Sequence, residues 1–280
     1  MDVIKANGEV VPFDEERIRR SLARAGAKAS VREEVVDLVK AKMHDGIPTS
    51  ELYSIVFAEL RRLQAPSAGK YNLKKAILQL GPTGFPFEKL IAALFEVDGF
   101  TALTGQMVPG RCVSHEVDVV AKKDNVLYHA ECKFHSFQGK VCDVKHALYV
   151  DARFRDVGEK TREIAGDARI HYQGWLITNT RMTSEAIAYG TCAGLGLLSW
   201  DYPEEKNLRS WIDSSGLHPL TSLSSLSVKQ KRQLLERGLV LCREIEKNEG
   251  RLVEIGMSRG EIDNVLREAY SICEGSAHGT

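Results

Sequence analysis

Two carboxylates and a lysine on consecutive strand-like runs are the residues best suited to chemistry in this sequence. The run 115–120 carries Asp118 between valines, and a later run ends in Glu131-Cys132-Lys133. Because side chains alternate across a strand, Glu131 and Lys133 share one face and Cys132 points to the other. Hairpin pairing of the two runs would bring Asp118 beside Glu131.

These residue types suit the metal-assisted hydrolysis of a phosphodiester. Two carboxylates a few ångströms apart repel each other unless a cation lies between them. Oxygen-only ligands favour Mg²⁺ or Mn²⁺. Lys133 can orient and help to deprotonate an attacking water, while the metal stabilises the charge that develops on the phosphate.

Spacing alone leaves a second interpretation open, in which these strand residues form a structural ion pair with Lys133. The apolar neighbours Val117, Val119, Val120 and Ala130 favour the catalytic interpretation. They place the charges at the edge of a core, where an unpaired charge is costly.

The order of the motifs resembles that of PD-(D/E)XK nucleases, in particular Mrr-type restriction endonucleases and Holliday-junction resolvases. The motifs that carry this resemblance are Phe87-Glu88-Lys89-Leu90, Gly99-Phe100, Glu116-Val117-Asp118-Val119-Val120 and Glu131-Cys132-Lys133. The resemblance covers residues 85–200. It implies that Asp118 and Glu131 are metal ligands, that Lys133 orients the water, and that Glu88 is a secondary ligand on the first helix.

The elements that must position these residues alternate between helices and strands, which predicts an α/β sandwich. An amphipathic helix from Phe87 is followed by three strands near 101–113, 115–122 and 125–134, a helical segment 143–168, a strand Trp175–Thr178, a helix Ser184–Ala193 and a strand Gly196–Trp200. Lys140, Lys145 and Arg153 follow the candidate site. The sequence is compatible with two interpretations for each of them: contact with a DNA backbone, or a position on a solvated helix face.

The first eighty residues predict a compact, α-rich module that opens with a hairpin. Asn7-Gly8 lies between two apolar runs, which is a strong hairpin signal. Asp14 is placed to cap a first helix, Ser30 and Glu33 to form a capping box for a second, and Thr49 or Ser50 to cap a third. A fourth helix is predicted for 67–80, before the helix-breaking cluster Gly81-Pro82-Thr83-Gly84.

This module resembles an ATP-cone, the nucleotide-binding regulatory module of ribonucleotide reductases. The resemblance is carried by Val3-Ile4-Lys5-Ala6-Asn7-Gly8, Phe13, Arg17-Ile18, Thr49-Ser50-Glu51-Leu52 and Tyr71. It implies that Lys5 and Arg17 contact phosphates, that Val3 and Ile18 flank the base, and that Thr49 lies near the nucleotide. The alternative is that Thr49 is only a helix cap and that Val3 and Ile18 are ordinary core residues.

Physically, two cations near a hairpin and a helix terminus can hold a triphosphate. The module carries no hydrolytic constellation, so ATP or dATP is expected to act as an effector.

The C-terminal part is predicted to be helical from Gly216. A helix is expected at 228–245, and a last one opens at Met257-Ser258. The stretch 223–239 weakly resembles a helix-hairpin-helix element, and residues 228–247 carry a local excess of three positive charges. A packing or dimerisation subdomain is an equally open interpretation.

Bulk composition limits the classes of protein. Of the 280 residues, 43% are hydrophobic and 27% charged, which is typical of a globular protein. Lys+Arg and Asp+Glu both total 38, so the formal net charge is zero. Any binding of nucleic acid must therefore depend on local basic surfaces. No apolar run reaches the roughly 20 residues of a membrane span, and the six scattered cysteines indicate reduced thiols, so a cytoplasmic location is expected.

Together these features predict an α+β multidomain protein: an ATP-cone with a β-hairpin at 1–82, a restriction-endonuclease-like sandwich with a mixed sheet at 83–214, and a small helical subdomain at 215–280. The predicted function is Mg²⁺-dependent DNA cleavage regulated by (d)ATP. A nucleotide-sensing DNA-binding regulator and an RNA-processing nuclease are the alternatives. A homodimer is an option, because enzymes of this type often place two sites on two strands.

Overall fold

Strands and helices are interspersed up to residue 198, and the later elements of the described chain are helices. The computed structural model describes residues 1–5, 7–137, 139–165 and 170–274. The strands are β1 Asp2–Ile4, β2 Val10–Pro12, β3 Ile47–Pro48, β4 Thr101–Pro109, β5 Ser114–Lys123, β6 Val126–Lys133, β7 Val141–Cys142, β8 His171–Thr178, β9 Arg181–Met182 and β10 Gly196–Leu198. The α-helices are α1 Glu15–Arg24, α2 Ala29–Lys42, α3 Thr49–Leu63, α4 Ala65–Tyr71, α5 Leu73–Leu78, α6 Phe85–Val97, α7 Val144–Ala165, α8 Ser184–Cys192, α9 Leu208–Ser215, α10 Val228–Glu236, α11 Glu249–Glu254 and α12 Arg259–Glu274. The predicted α+β class with a helical C-terminal part is therefore confirmed.

The predicted N-terminal hairpin is present as β1 and β2, which pair antiparallel with Ile4 opposite Val10. Gly8 adopts a φ of 84° in the turn, a conformation that glycine enters without steric cost. β3 adds to β1 in parallel, with Ile47 opposite Val3. The sequence did not predict this third strand, because two residues are too few to show an alternating pattern.

Only one of the predicted side-chain caps in this module is present. The Asp14 carboxylate accepts a hydrogen bond from the Arg17 backbone N–H at 3.1 Å, so the cap of α1 is confirmed. The capping box of α2 is wrong, since Lys28 precedes the helix and no side chain caps it. Glu33 instead forms an ion pair with Arg19 of α1 at 3.0 Å, and this contact between helices replaces the local one.

Two further helix boundaries differ from the prediction. Thr49 is the first residue of α3, after Pro48, and makes no side-chain cap. The helix expected at 67–80 is two helices, α4 and α5, which meet at Asn72.

The central sheet is mixed, with the strand order β10-β8-β6-β5-β4. β4, β5 and β6 pair antiparallel, whereas β6, β8 and β10 run parallel. The mixed sheet and its strands were predicted within a few residues. Helix α9 was not predicted, and the helix expected at 143–168 corresponds to α7, with 166–168 outside the described residues.

Helices cover both faces of this sheet. One core cluster contains Phe87 and Leu90 of α6, Val119 and Cys132 of the sheet, and Trp211 of α9. The same cluster includes Leu73, Ile77 and Leu80, so α5, the last helix of the N-terminal module, packs into the central core. The opposite cluster joins α7 and α8 to the sheet.

The C-terminal helices surround a core cluster of their own, which includes Leu234, Leu252 and Ile262. The helix expected at 228–245 is wrong in length: α10 ends at Glu236, and Gly238 follows with a φ of 80°, a left-handed conformation that terminates helices. Within the described ranges, no helix combines the length and apolar composition needed to cross a bilayer.

Candidate functional site

The register of β5 and β6 brings Asp118 and Glu131 together. Val119 pairs with Ala130, so the next residues along the two strands are Asp118 and Glu131. The Cys132 backbone N–H donates a hydrogen bond to Asp118 Oδ2 at 2.7 Å, which fixes the direction of this carboxylate. Cys132 itself is buried in the core cluster of α6, as strand alternation predicted.

The backbone of β5 changes face at Asp118. Val117 packs in the cluster beside α7, whereas Val119 packs in the cluster beside α6, although residues two apart on a regular strand face the same side. The β4 residue that the register sets opposite Asp118 is Gly105, whose φ is 61°. Such a glycine allows β4 to bend at the position where β5 changes face.

Four carboxylates repel one another at this bend: Glu88 of α6, Glu116 and Asp118 of β5, and Glu131 of β6. Burial, followed by repulsion from Asp118, raises the pKa of Glu88 and of Glu131 to about 7. Burial also raises the pKa of Asp118. No sequence pattern assigned a role to Glu116, although it lies two residues before Asp118. A carboxylate cluster of this kind is stabilised by a cation.

Arg153 of α7 supplies one such cation. Its Nη1 donates to Glu131 Oε2 at 2.5 Å, and its side chain is only 11% exposed. The solvated helix face that the sequence left open for Arg153 is therefore wrong, and contact of Arg153 with a DNA backbone stays a prediction. The spacing of apolar residues along α7 could have predicted that Arg153 is buried. Val150, Phe154 and Val157 are all buried and define the inner face of the helix, and Arg153 lies beside them.

Lys133 lies on the same strand face as Glu131 and opposite Thr178 of β8. Its charge lowers the pKa of Glu131 and of Asp118, against the larger effect of burial. Glu131 is paired with Arg153 and not with Lys133, and within the described residues Lys133 forms no ion pair. The structural pair with Lys133 that spacing left open is therefore absent from this part of the chain.

The donor chemistry of this cluster fits a hard divalent cation, since every candidate ligand is a carboxylate oxygen. Within the described residues, no three His, Cys, Asp or Glu side chains are gathered closely enough to form a metal site. Glu131 is held by Arg153, and one oxygen of Asp118 is held by the Cys132 N–H. Loading with Mg²⁺ or Mn²⁺ would therefore use the second oxygen of each carboxylate or displace these two contacts.

A separate cavity of about 420 Å³ lies in the N-terminal module. It is lined by all five residues predicted to bind a nucleotide: Val3, Lys5, Arg17, Ile18 and Thr49. Lys5 also forms an exposed ion pair with Glu9 at 3.0 Å. The volume suits a small ligand of nucleotide size.

Two tyrosines form a wall of this cavity. Tyr53 of α3 and Tyr71 of α4 stack with ring centroids 5.1 Å apart, and the Tyr53 hydroxyl donates to Asn72 Oδ1 at 2.7 Å. Burial raises the pKa of Tyr71 to about 12. Tyr53 was not predicted from the sequence to lie at this site. Stacked aromatic side chains offer a platform for a planar base.

Comparison with known proteins identifies both ends of the chain. The model of the ATP cone domain family matches residues 1–78, and the model of the family described as AF1548-like, C-terminal, matches residues 218–273. A protein of Archaeoglobus fulgidus, named only as an uncharacterized protein, is 36% identical over 183 residues, which are 65% of this chain and 99% of the relative. The crystal structure of AF1548, a protein described as of unknown function, aligns with a TM-score of 0.55 and 36% identity over 69% of this chain and 100% of its own. The protein therefore belongs to the AF1548-like family and carries an ATP-cone at its N-terminus.

Proposed function

We propose that this protein is a metal-dependent DNA endonuclease whose activity is regulated by ATP or dATP. The observation that carries the proposal is the convergence of Glu88, Asp118 and Glu131 with Lys133 where the pairing of β5 with β6 stops. PD-(D/E)XK nucleases have these residue types in this order. The ATP-cone supports regulation by a nucleotide.

In this proposal Asp118 and Glu131 hold Mg²⁺ or Mn²⁺, which neutralises charge on the phosphate. Lys133, on the strand face of Glu131, orients the attacking water. Glu88 of α6 would be a secondary ligand of the ion, whose positive charge would favour the ionised carboxylate. Arg153, once released by Glu131, remains beside the site as a cation for the phosphate.

Cleavage assays with plasmid and branched DNA in Mg²⁺ or Mn²⁺ test this proposal. Glu131→Ala and Lys133→Ala should each lower the rate by about 100-fold or more, as loss of a group that stabilises transition-state charge does. Glu163→Ala, which removes an exposed carboxylate on α7, is the matched control and should cut like the wild type. Equal cutting by the wild type and Glu131→Ala would assign the activity to a contaminant and contradict the site.

A second candidate is a nucleotide-sensing regulator that binds DNA without cutting it. The ion pair between Arg153 and Glu131 favours it, because this pair already neutralises one of the proposed metal ligands. Tight DNA binding with no cleavage in either metal would support this candidate. Faster cleavage of labelled RNA than of DNA, in competition, would instead reassign the substrate.

A further inference from the structure

A cavity of about 690 Å³ lies between helix α10, the start of α6 and the segment 79–83 that precedes α6. We call it the α6–α10 cavity. It shares no lining residue with the cavity of the N-terminal module, and none of its lining residues belongs to the carboxylate cluster. Its volume suits a ligand of nucleotide size.

Exposed apolar side chains line the α6–α10 cavity. Phe85 at the start of α6 is 49% exposed, and Val228 at the start of α10 is 76% exposed. Lys89 Nζ lies 4.9 Å from the centroid of the Phe85 ring and donates to Gly238 O at 3.4 Å. An exposed aromatic ring offers a stacking surface for a nucleic-acid base, since every base has a π face.

Two polar groups of the lining lack partners. The Lys231 amine makes no hydrogen bond or ion pair within the described residues, and burial lowers its pKa. Glu268, whose negative charge acts on Lys231, is instead bound by the backbone N–H groups of Ser224 and Ser225. Gln79 Oε1 is shielded from solvent and accepts no hydrogen bond in the same part of the chain. Such groups are costly to bury, and a ligand with a phosphate and a hydrogen-bond donor would satisfy both.

The charge of the lining matches one phosphodiester. Arg232 and Glu236, the other charged side chains of the described lining, form an exposed ion pair at 2.9 Å. The lining therefore keeps one unpaired positive charge, that of Lys231. Lysine binds phosphate as a point charge, without the fixed geometry that arginine requires.

The α6–α10 cavity lies next to the carboxylate cluster. Phe85 and Glu88 are three residues apart on α6, so their side chains lie on the same side of the helix. A side chain at Gly84 would place its Cβ 3.1 Å from Glu88 Oε1, so the Glu88 carboxylate lies against the residue that precedes Phe85. Glu88 in turn repels Asp118 and Glu131 at the candidate site. About one turn of helix, roughly 5.4 Å, therefore separates the start of the cavity wall from the first carboxylate.

We propose that the α6–α10 cavity binds one unpaired nucleotide of the DNA substrate, beside the phosphodiester that is cleaved at the carboxylate cluster. The base stacks on Phe85 and donates a hydrogen bond to Gln79 Oε1, and the phosphate of this nucleotide binds Lys231. A base inside a duplex must first leave its stack, which costs free energy, so the cavity selects DNA that carries an overhang or a flap. This inference rests on the proposed function and names the class of substrate that the site prefers.

Binding of two DNAs to the full chain tests the proposal without relying on cleavage. One is a fluorescent duplex with a single-stranded overhang, and the other is the same duplex with the overhang paired. Anisotropy is measured with Ca²⁺, which takes oxygen ligands as Mg²⁺ does. The wild type should bind the overhang DNA at least about 10-fold more tightly, the gain from stacking one base. Phe85→Ala should lose most of this preference, whereas Val253→Ala, which removes an exposed apolar side chain outside the cavity, should keep it.

The salt dependence of binding tests the phosphate contact. Lys231→Gln should weaken binding of the overhang DNA and lower the slope of log affinity against log salt concentration by roughly 0.7, the value for one phosphate contact in a single strand. Lys229→Gln is the matched control, because it removes an exposed lysine of the same helix that does not line the cavity. Equal slopes for the wild type and Lys231→Gln would overturn the phosphate assignment.

Photocrosslinking identifies the contact directly. 5-Iodouracil at the first unpaired position should crosslink to a wild-type peptide that contains Phe85. A crosslink only to other peptides, or an overhang preference that Phe85→Ala retains, would overturn the proposal. A wild type that is dimeric where Phe85→Ala is monomeric, with equal DNA binding, would also overturn it and assign the cavity to a second copy of the chain. A wild type that binds neither DNA would overturn the proposed function itself, and this outcome is visible before any variant is made.

Discussion

The Arg153 guanidinium of α7 is bound to the Glu131 carboxylate of β6 at 2.5 Å, with both side chains largely buried. The pair joins a helix to the strand that ends in Glu131-Cys132-Lys133. It also supplies the cation nearest to Glu131 among the described residues. The stability of the fold and the chemistry of the site therefore depend on the same contact.

Removal of Arg153 should destabilise the protein most at high pH. Arg153→Met leaves Glu131 buried without its cation, and breaking a buried pair in this way costs about 3 kcal/mol. The cost should shrink below pH 6, where Glu131 binds a proton. Urea unfolding at pH 8 and pH 5 measures both effects. The double variant that combines Arg153→Met with Glu131→Gln should regain most of the lost free energy of unfolding. An equal loss in Arg153→Met at pH 8 and pH 5 would contradict this account.

Neutralising Glu88 should stabilise the protein at pH 8. The pKa of Glu88 is raised from 4.5 to about 7, so the folded state binds a proton more tightly than the unfolded state. That contribution to stability is complete below pH 4.5 and is lost as the pH rises through 7. Glu88→Gln should raise the free energy of unfolding by roughly 1–2 kcal/mol at pH 8, allowing for solvent screening of this half-buried group, and by little at pH 4.5.

Thermal melts of Glu88→Gln across this pH range are the measurement. Glu96→Gln, a substitution on the exposed side of α6, serves as the comparison and should show no such pH dependence. A stabilisation that is equal at pH 4.5 and pH 8 would show that the carboxylate charge is not its source.

His218 should make the protein sensitive to acid. It is fully buried, neither ring nitrogen has a hydrogen-bond partner within the described residues, and burial lowers its pKa from 6.5 to about 3. The unfolded chain therefore gains a proton below pH 6.5 that the folded chain does not, and stability falls as the pH drops through this range. At pH 5 the effect of this one group is about 2 kcal/mol.

The comparison of wild type with His218→Leu isolates this contribution. The variant should lose less stability between pH 7 and pH 5 than the wild type in urea unfolding. The exposed His44, replaced by Gln, should leave the pH dependence unchanged. Parallel curves for wild type and His218→Leu would refute the assignment.

Lys5→Ala should weaken ATP binding by about 10-fold through loss of a charge-assisted contact to phosphate. Lys5 lines the cavity of the N-terminal module, and its present partner Glu9 is exposed. Lys28→Ala removes an exposed lysine outside the cavity and should bind ATP like the wild type. Unaltered calorimetric titrations for Lys5→Ala would remove Lys5 from the phosphate site.

Local patterns were enough to predict most of the elements that build the candidate site. The alternation around Cys132 placed Glu131 and Lys133 on one strand face, and burial of Cys132 agrees with it. The hairpin at Asn7-Gly8 and the cap at Asp14 were also predictable, because each depends on residues only a few positions apart. The capping box predicted for Ser30 and Glu33 is wrong because Glu33 forms an ion pair with a residue of another helix. Local sequence patterns do not predict such a contact between helices.

The sequence by itself determined that Glu131 and Lys133 share a face of β6, and the resemblance to an ATP-cone named five of the side chains that line the N-terminal cavity. Only the tertiary structure decided that Glu131 pairs with Arg153 and that Glu116 joins the carboxylate cluster. The reason is physical. Strand and helix periodicity are set by neighbours along the chain, whereas contacts between distant elements depend on how their apolar faces pack, which no local pattern records.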